Sequence, residues 1–189
     1  MSEELTSAVH EDASERMGKA VAHAKSEFAG VRSGRANSGL VERLPVEYYG
    51  STVPLQQLAS FSVPEARMLV ISPFDKGSIG AIERSIREAN LGLNPSNDGA
   101  QIRLGFPSLT EERRKEFVKM VKAKAEDGRT AVRAARRDAR KDLEGFQKDG
   151  DITEDELRRS EEELDKLTKR HEAEIDAALE SKTVELMEG

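Results

Sequence analysis

The sequence predicts an α+β protein in which a long antiparallel three-helix bundle carries a small inserted α/β domain. Three long segments repeat apolar residues at spacings of three and four, which is typical of helices with one buried face. Between the first two of these segments, short runs rich in Val, Ile, Tyr and Phe are separated by Gly and Pro, as in strands and turns. We therefore expect residues 1–33 and 107–189 to form the bundle and residues 34–106 to form the inserted domain.

The first helix is predicted from one apolar stripe near the amino terminus. Gly18 weakens this helix slightly, because glycine has a low helix propensity. The stripe consists of Leu5, Val9, Ala13, Met17, Ala20, Val21, Ala24, Phe28 and Val31.

The second bundle helix is predicted to begin after Thr110 and to end within residues 148–150. Thr110 is a suitable N-cap, and Glu111 and Glu112 lie in the first turn, where the helix dipole favours anions. Its apolar line contains many small residues, which predicts close approach by a neighbouring helix. The line consists of Val118, Val121, Ala125, Gly128, Val132, Ala135, Ala139, Leu143 and Phe146.

The third bundle helix is predicted to start at a capping box formed by Thr153 and Glu156, with Ile152 and Leu157 as a hydrophobic staple. None of the three helices buries enough apolar surface alone, so an antiparallel bundle with coiled-coil-like packing is the expected solution. The buried face of this helix consists of Leu157, Leu164, Leu167, His171, Ile175, Ala178, Leu179 and Leu186.

The inserted domain is predicted to contain five short strands and one helix. The helix spans residues 78–90, with Ile79, Ile82 and Ile86 facing inward, and a turn covers residues 94–99. The strands are expected at residues 44–49, 52–55, 61–63, 68–72 and 101–106.

The two chain crossings between bundle and inserted domain predict a hinge. One connection contains glycine and the other contains proline, so relative domain motion is expected. The predicted hinge residues are Arg32, Ser33, Gly34, Arg35, Phe106 and Pro107.

Composition excludes several classes of protein. The 189 residues contain no cysteine, which excludes disulfides and thiolate metal sites. No apolar run approaches the ~20 residues needed to span a bilayer, and the first ten residues lack the features of a signal peptide. A cytoplasmic location and no membrane partner are therefore expected.

The sequence offers no catalytic or metal-binding constellation, so neither an enzyme nor a cofactor or small-molecule substrate is expected. The three histidines lie far apart on bundle helices, and His171 is interpreted as a satisfied residue of the buried seam. Asp98 and Gly99 are explained by turn chemistry. Tyr48 and Tyr49 could stack on bases, but on a strand one of them would face the domain core and the other the surface.

Positive charge is concentrated on one stripe of the second bundle helix, although the net charge of the chain is −6. Residues 111–148 carry 13 Lys and Arg against 8 Asp and Glu, whereas residues 149–189 carry 6 against 15. At about 100° per residue the arginines fall within an arc of roughly 100°, beside the apolar line. The predicted RNA-binding residues are Lys122, Arg129, Arg133, Arg136, Arg137 and Arg140.

Two interpretations of this stripe are possible. It could be a solvated face that forms salt bridges with the acidic third helix. Against this, few acids lie at spacings that would pair with Arg133, Arg136 or Arg140 within their own helix, and guanidinium binds phosphate better than an ammonium group. Because the stripe lacks aromatic residues, folded RNA is a better expected ligand than a single strand.

The chain resembles the ribosome recycling factors, a family of bacterial-type translation factors, over essentially its whole length. The resemblance implies an L-shaped molecule that catalyses no covalent step. It also implies action with the GTP-hydrolysing elongation factor G on the terminated ribosome, which parts the subunits and frees messenger and transfer RNA. The matching stretches are residues 32–36, 46–50, 54–60, 91–95, 109–114 and 132–138.

The resemblance also implies roles for individual residues. Arg133, Arg136 and Arg137 match the arginines through which the family grips RNA of the large ribosomal subunit. Residues 32 and 35 match basic residues beside the elbow. Ala134 departs from the family pattern, which often has asparagine there, so one polar contact is in doubt.

Two other classes of function stay open at the level of sequence. An RNA-binding or RNA-chaperone module would bind isolated RNA without elongation factor G. A coiled-coil adaptor would use the apolar seams between chains, whereas the recycling function predicts a monomer whose seams are buried internally.

Overall fold

The computed structural model describes residues 2–188, which divide into two compact units. One unit contains residues 2–32 and 112–188, and the other contains residues 33–111. The predicted boundaries were 33/34 and 106/107, so the chain between residues 107 and 111 belongs with the small unit by its contacts. No helix within residues 2–188 is long and apolar enough to cross a membrane.

Four α-helices account for most of the described chain. They are α1 (Ser2–Ala29), α2 (Ile79–Glu88), α3 (Glu111–Asp149) and α4 (Glu154–Glu188). Helices α1, α3 and α4 belong to the first unit, and α2 belongs to the second.

The core of the bundle lies along the three apolar stripes read from the sequence. Met17 of α1, Leu143 of α3 and Ile175 of α4 are among its fully buried side chains. Residues near the ends of the stripes, such as Val9 and Phe146, are only partly buried. The helical periodicity therefore predicted the seam correctly, because each helix buries one face and exposes the opposite one.

The α3–α4 connection confirms the predicted helix boundaries. Gly150 has φ +83°, and the amide of Asp151 donates to the carbonyl of Phe146 at 2.9 Å. The amide of Thr153 then donates to Oε2 of Glu156 at 2.7 Å, and the amide of Glu156 donates weakly to Oγ1 of Thr153 at 3.3 Å. This is the predicted capping box.

Two polar side chains in the α4 seam were not predicted. Ser160 and Thr168 are both buried. Oγ1 of Thr168 donates to the carbonyl of Leu164 at 2.7 Å, which satisfies the hydroxyl inside its own helix. Such a polar residue can be buried without being apolar, so a search for apolar residues at helical spacing does not find it.

The small unit contains two antiparallel sheets. Strands β1 (Pro45–Tyr48) and β2 (Ser51–Pro54) form a hairpin. The second sheet has the order β3-β4-β6-β5. Its strands are β3 (Ala59–Glu65), β4 (Met68–Pro73), β5 (Pro95–Asn97) and β6 (Ile102–Gly105).

The core of the small unit joins these sheets to α2. The side chains of Ile79, Ile82 and Ile86 are buried, as the helical spacing predicted. They share one cluster with Leu69 and Ile71 of β4 and with residues of the hairpin and β6.

Three predicted elements of the small unit differ from the structure. Residues 95–97 were expected within a turn but form β5, which pairs with β6, so the turn is confined to residues 98–101. Strand β3 is longer than expected because it passes through Pro64, where the register with β4 shifts. Proline is tolerated there because β3 is an edge strand. Helix α2 is shorter than residues 78–90, because Ser78 belongs to the 3-10 turn Lys76–Ser78 and the helix ends at Glu88, ahead of Asn90 with φ +51°.

Candidate RNA-binding face

The arginines of α3 lie along the side of the helix that borders α4. Val132, Ala135 and Ala139 of α3 are buried in the seam, and the arginines follow the neighbouring strip of surface. We call Lys122, Arg129, Arg133, Arg136, Arg137 and Arg140 the arginine face.

Arg129 is the most enclosed member of the arginine face. Its Nε and Nη2 both donate to Oδ1 of Asp176, at 2.9 and 2.6 Å, and its Nη1 donates to Oε2 of Glu126 at 2.9 Å. Only 20% of the side chain is exposed. The hydrogen bond to Asp176 raises the pKa of Arg129 above its ordinary value, with Glu126 adding to the effect. All three nitrogens are therefore used within the bundle.

Arg133 and Arg140 are held differently, through the inner edge of the guanidinium. Nε of Arg133 donates to Oε1 of Glu172 at 2.6 Å, and Nε of Arg140 lies 2.8 Å from Oε1 of Glu161. The side chains are 54% and 52% exposed. Within residues 2–188 their terminal nitrogens donate no hydrogen bond, although Nη1 of Arg133 lies 3.6 Å from Oε1 of Glu126. The edge of each guanidinium away from Nε, which we call the outward edge, can therefore still donate to a phosphate.

Arg136 lies between these two positions. Its Nη2 is 2.7 Å from Oδ1 of Asp165, and 40% of its side chain is exposed. A shallow cavity of about 50 Å³ lies between Arg136, Arg140 and the α4 residues Glu161, Leu164 and Asp165. The cavity is too small for a ligand beyond water or the tip of one phosphate.

Arg137 and Lys122 are the cations of the arginine face that form no salt bridge or hydrogen bond within the described chain. Both are exposed. The next residue, Asp138, turns away to α1, where Nη2 of Arg16 donates to its Oδ2 at 2.6 Å. That hydrogen bond lowers the pKa of Asp138, with a smaller electrostatic contribution from Arg137.

The expectation of few pairing acids concerned α3 alone, and most of the acids that contact these arginines come from α4. Within α3, Glu126 reaches Arg129 and Arg133, and Glu144 reaches Arg140. Four further carboxylates come from α4, which spacing within α3 does not describe. In the free protein the arginine face is therefore the salt-bridged surface that the alternative interpretation anticipated. The α4 carboxylates are those of Glu161, Asp165, Glu172 and Asp176.

These ion pairs do not prevent the arginines from binding a ligand. Pairs on an exposed surface contribute only about 0–1 kcal/mol each, so a phosphate can share or replace a carboxylate at modest cost. Among the described residues, the face combines guanidinium groups held by carboxylates with two cations that form no salt bridge.

The predicted hinge residues lie where the two connections run side by side. Gly34 has φ +79°, and a Cβ added there would lie 3.4 Å from Cγ of Leu109 and 3.6 Å from the carbonyl oxygen of Pro107. A left-handed conformation and this close approach both favour glycine. Arg32 is exposed, whereas Ser33 is buried.

The small unit holds both connections at the turn between β3 and β4. The amide of Ala36 donates to the carbonyl of Ala66 at 2.8 Å, and the amide of Phe106 donates to the carbonyl of Arg67 at 2.8 Å. Phe106 is also buried in the core of the small unit. Residues 33–35 and 107–111 lie outside these two hydrogen bonds, on the side of the connections that leads to the bundle helices.

Sequence reasoning missed a cluster around Asp75 in the small unit. The hydroxyls of Tyr48 and Tyr49 both donate to Oδ2 of Asp75, at 3.1 and 3.3 Å, and the two rings meet edge to face with centroids 4.6 Å apart. Tyr49 does not continue the strand, because its φ is +47°. The expectation that one tyrosine faces the core and the other the surface is confirmed, because Tyr48 packs against the core of the small unit and Tyr49 is 84% exposed.

A sequence signal for Asp75 exists in the residues that follow it. Asp75 is the N-cap of the 3-10 turn Lys76–Ser78 that precedes α2, and its Oδ1 accepts from the amide of Gly77 at 2.8 Å. This bond, followed by the one from Tyr48, lowers the pKa of Asp75. The two tyrosines could not be placed on Asp75 without the tertiary structure.

His171 is satisfied in the seam, as predicted. It is 4% exposed, and its Nδ1 lies 2.7 Å from the carbonyl of Leu167, so that nitrogen carries a proton and donates it. Among residues 2–188 no group of three His, Cys, Asp or Glu side chains is arranged to hold a metal ion. Asp98 caps its own turn by accepting from the amides of Ala100 and Gln101 at 3.0 and 2.8 Å.

Comparison with known proteins gives a consistent result. The sequence profile of the family described as ribosome recycling factor matches residues 24–187. A ribosome-recycling factor from Bacillus subtilis (strain 168) is 55% identical over 174 residues, which cover 92% of this chain and 94% of that protein.

Two solved structures are also similar. One is a solution structure of the ribosome recycling factor, with a TM-score of 0.75, 42% identity, and coverage of 97% of this chain and 98% of that chain. The other presents models for the T. thermophilus ribosome recycling factor and the E. coli elongation factor G bound to the E. coli post-termination complex. It has a TM-score of 0.64, 40% identity, and coverage of 96% and 98%.

Proposed function

Because the chain belongs to the ribosome recycling factor family, we propose that it binds the post-termination ribosome in the cytoplasm and acts there with elongation factor G and GTP. In this role it separates the ribosomal subunits and frees messenger and transfer RNA for a new round of translation. Members of the family are non-enzymatic translation factors. A similar structure that contains both a recycling factor and elongation factor G on the post-termination complex supports the choice of partner.

The arginine face is the proposed anchor on RNA of the large ribosomal subunit. The observation that carries this proposal is the outward presentation of Arg133 and Arg140, whose inner edges are held by Glu172 and Glu161. Arg137 adds an exposed cation with no salt bridge in the described chain. A row of oriented guanidinium groups without aromatic platforms suits the backbone of folded RNA.

The small unit is the proposed moving part. Backbone hydrogen bonds fix Ala36 and Phe106 to the turn between β3 and β4. The chain between these residues and the bundle consists of residues 33–35 in one connection and 107–111 in the other. We expect these segments to act as the hinge, with Gly34 supplying a backbone conformation that other residues rarely adopt. Elongation factor G would push the small unit while the bundle stays on RNA.

A monomer is the proposed functional state. The apolar seams of α1, α3 and α4 are buried against one another within one chain. A coiled-coil adaptor would need such a seam for a second chain. Sedimentation at micromolar concentration should therefore show a monomer, and a stable oligomer would contradict this part of the proposal.

The anchor is tested by replacing Arg133 and Arg136 together with glutamine. Neutral replacements are preferable to charge reversal, because a carboxylate at position 133 would face Glu172 at close range. We expect binding to the large subunit to weaken at least tenfold. If wild type neutralises three to five phosphates, its log affinity should fall against log salt with a slope of roughly −2 to −4, and the variant slope should be about 2 units smaller.

A matched control replaces Lys25 and Arg159 with glutamine. Both are exposed cations of the bundle outside the arginine face, so this variant has the same net charge as the first. Equal affinities for the arginine-face variant and the control would contradict the anchor. Recycling itself is tested by light scattering of post-termination ribosomes with the protein, elongation factor G and GTP, and an unchanged signal would contradict that function.

A further inference from the structure

The inner edge of the arginine face is lined by carboxylates from α4. The distances from the arginine nitrogens to the carboxylate oxygens lie between 2.6 and 2.8 Å. Glu161 and Glu172 are also partly enclosed, with side chains 30% and 23% exposed. These acids are therefore fixed parts of the surface that a ligand meets.

The carboxylates cancel the charge of the arginine face. Four of its six cations are contacted by acids, and two have no salt bridge within residues 2–188. The contacting acids are the four α4 carboxylates with Glu126 and Glu144 of α3, so six acids lie on a face of six cations. At a distance beyond the screening length of about 10 Å, a polyanion meets a nearly neutral surface. Attraction arises at short range, when a phosphate reaches the outward edge of a guanidinium or one of the two cations that form no salt bridge in the described chain.

We infer that Glu161 and Glu172, assisted by Asp165, determine the RNA specificity of the arginine face. Glu172 and Glu161 hold Arg133 and Arg140 at Nε, and Asp165 holds Arg136 at Nη2. These carboxylates repel any phosphate that is not placed on the free edge of a guanidinium. This inference rests on the proposed function, since it assigns the selectivity of the same RNA-binding surface. The ligand class that it selects is folded RNA with a fixed backbone.

The physical basis is the difference between a rigid and a flexible polyanion. A folded RNA presents several phosphates at fixed spacing, so it can reach several outward edges at once without further ordering. A flexible strand must lose conformational freedom to do the same, and each phosphate out of place meets a carboxylate. Held arginines also lose less side-chain entropy on binding.

The test removes two α4 carboxylates and measures binding to a flexible RNA. The variant is Glu161→Gln with Glu172→Gln, and the probe is a short fluorescent oligouridylate followed by anisotropy at low salt. In water a unit charge about 6 Å from a phosphate changes affinity by about threefold. We therefore expect the double variant to bind oligouridylate about tenfold more tightly than wild type.

A matched control replaces Glu162 and Glu174 with glutamine. Both are exposed acids of α4 that form no salt bridge or hydrogen bond in the described chain, so the control has the same net charge. We expect the control to change oligouridylate affinity by less than about threefold. Equal gains in the two variants would overturn the inference, because overall charge would then explain the effect.

A second measurement, the affinity for the large ribosomal subunit, shows whether the substitutions change RNA specificity or only increase affinity for every RNA. We expect Glu161→Gln with Glu172→Gln to increase it less than the affinity for oligouridylate, so that the ratio of the two affinities falls. An unchanged ratio would overturn the inference. If the arginine-to-glutamine variant loses subunit binding while this ratio is unchanged, the RNA anchor stands and the inference fails.

Folding of the double variant is checked by circular dichroism. The single variant Asp165→Asn provides a second route, since Asp165 is exposed and contacts only Arg136 among the arginines. It should shift the affinity ratio in the same direction by about threefold. A shift in the opposite direction would also overturn the inference.

Discussion

Gly128 of α3 lies so close to Ile175 of α4 that a Cβ added to the glycine would stand 3.1 Å from Cδ1 of the isoleucine. The same Cβ would stand 3.1 Å from Cβ of Ala24 on α1. The three helices of the bundle therefore pack tightly around a residue without a side chain. Ile175 could adjust its side chain, but the Cβ of Ala24 is fixed to its backbone.

Replacement of Gly128 by alanine should lower the free energy of unfolding. Alanine gains about 1 kcal/mol in helix propensity, but overpacking between two helices costs about 1–3 kcal/mol. We expect a net loss of about 1 kcal/mol, measured by urea denaturation. Gly145→Ala in the same helix is the control, because nothing lies within 4 Å of its added Cβ. That variant should be more stable than wild type, and equal effects at the two positions would contradict the packing argument.

Thr153→Ala should destabilise the start of α4. The hydroxyl of Thr153 donates to Oε2 of Glu156 at 2.9 Å and accepts from the amide of that residue. Loss of an N-cap hydroxyl costs about 1 kcal/mol, measured as a lower free energy of unfolding. Thr130→Ala, at an exposed position inside α3, should be neutral or stabilising. A loss of the same size at both positions would show that the cap is not the cause.

Asp75 should stabilise the folded protein at neutral pH and lose this contribution in acid. Its folded-state pKa is lowered from 3.8 by the Gly77 amide and then by the Tyr48 hydroxyl. A depressed pKa gives stability that is present above the unfolded-state pKa and is lost as pH falls through the folded-state value. The stability difference between wild type and Asp75→Asn should therefore shrink below pH 3.8. A difference that is constant between neutral pH and strong acid would contradict this role.

Tyr48 should ionise at higher pH than an ordinary tyrosine. Its hydroxyl donates to the Asp75 carboxylate, which raises its pKa above 10.0 because loss of the proton would place two anions together. The chain has two tyrosines and no tryptophan, so Tyr49→Phe leaves Tyr48 as the sole source of tyrosinate absorbance. The titration midpoint should fall when Asp75→Asn is added. Since the folded-state pKa is raised, this interaction stabilises the protein below pH 10.0 and is lost at higher pH.

Replacement of Arg129 should mainly lower the stability of the protein, whereas replacement of Arg137 should mainly weaken RNA binding. Arg129→Gln removes hydrogen bonds to Asp176 and Glu126 and should lower the free energy of unfolding by about 1 kcal/mol. Arg137→Gln should leave stability within about 0.5 kcal/mol but reduce the salt slope of RNA binding by about 1. The two variants carry the same charge change. A larger binding loss for Arg129→Gln than for Arg137→Gln would contradict this division of roles.

Much of the architecture was readable from local patterns. The apolar lines of α3 and α4 match the buried seam because helical period and burial on one side are set by neighbouring residues. The α3–α4 junction was predicted from Gly150 and the Thr153–Glu156 capping box. The resemblance to ribosome recycling factors was likewise carried by short stretches of sequence, and the family comparison confirmed it.

Strand β5 could not be predicted in the same way. Residues 95–97 are Pro, Ser and Asn, which favour a turn when considered alone. They form a strand because β6 supplies their pairing partners across the turn at residues 98–101. Pairing across a sheet can override local propensity, particularly in a strand of three residues.

The sequence by itself determined which side of α3 carries the arginines, because that depends only on helical period. It did not determine what those arginines contact. Arg133 and Glu172 are brought together by the packing of α3 against α4, as are Arg136 and Asp165. Tertiary packing therefore decided that the arginine face is balanced by carboxylates, because residues far apart in the chain become electrostatic neighbours only after their helices pack.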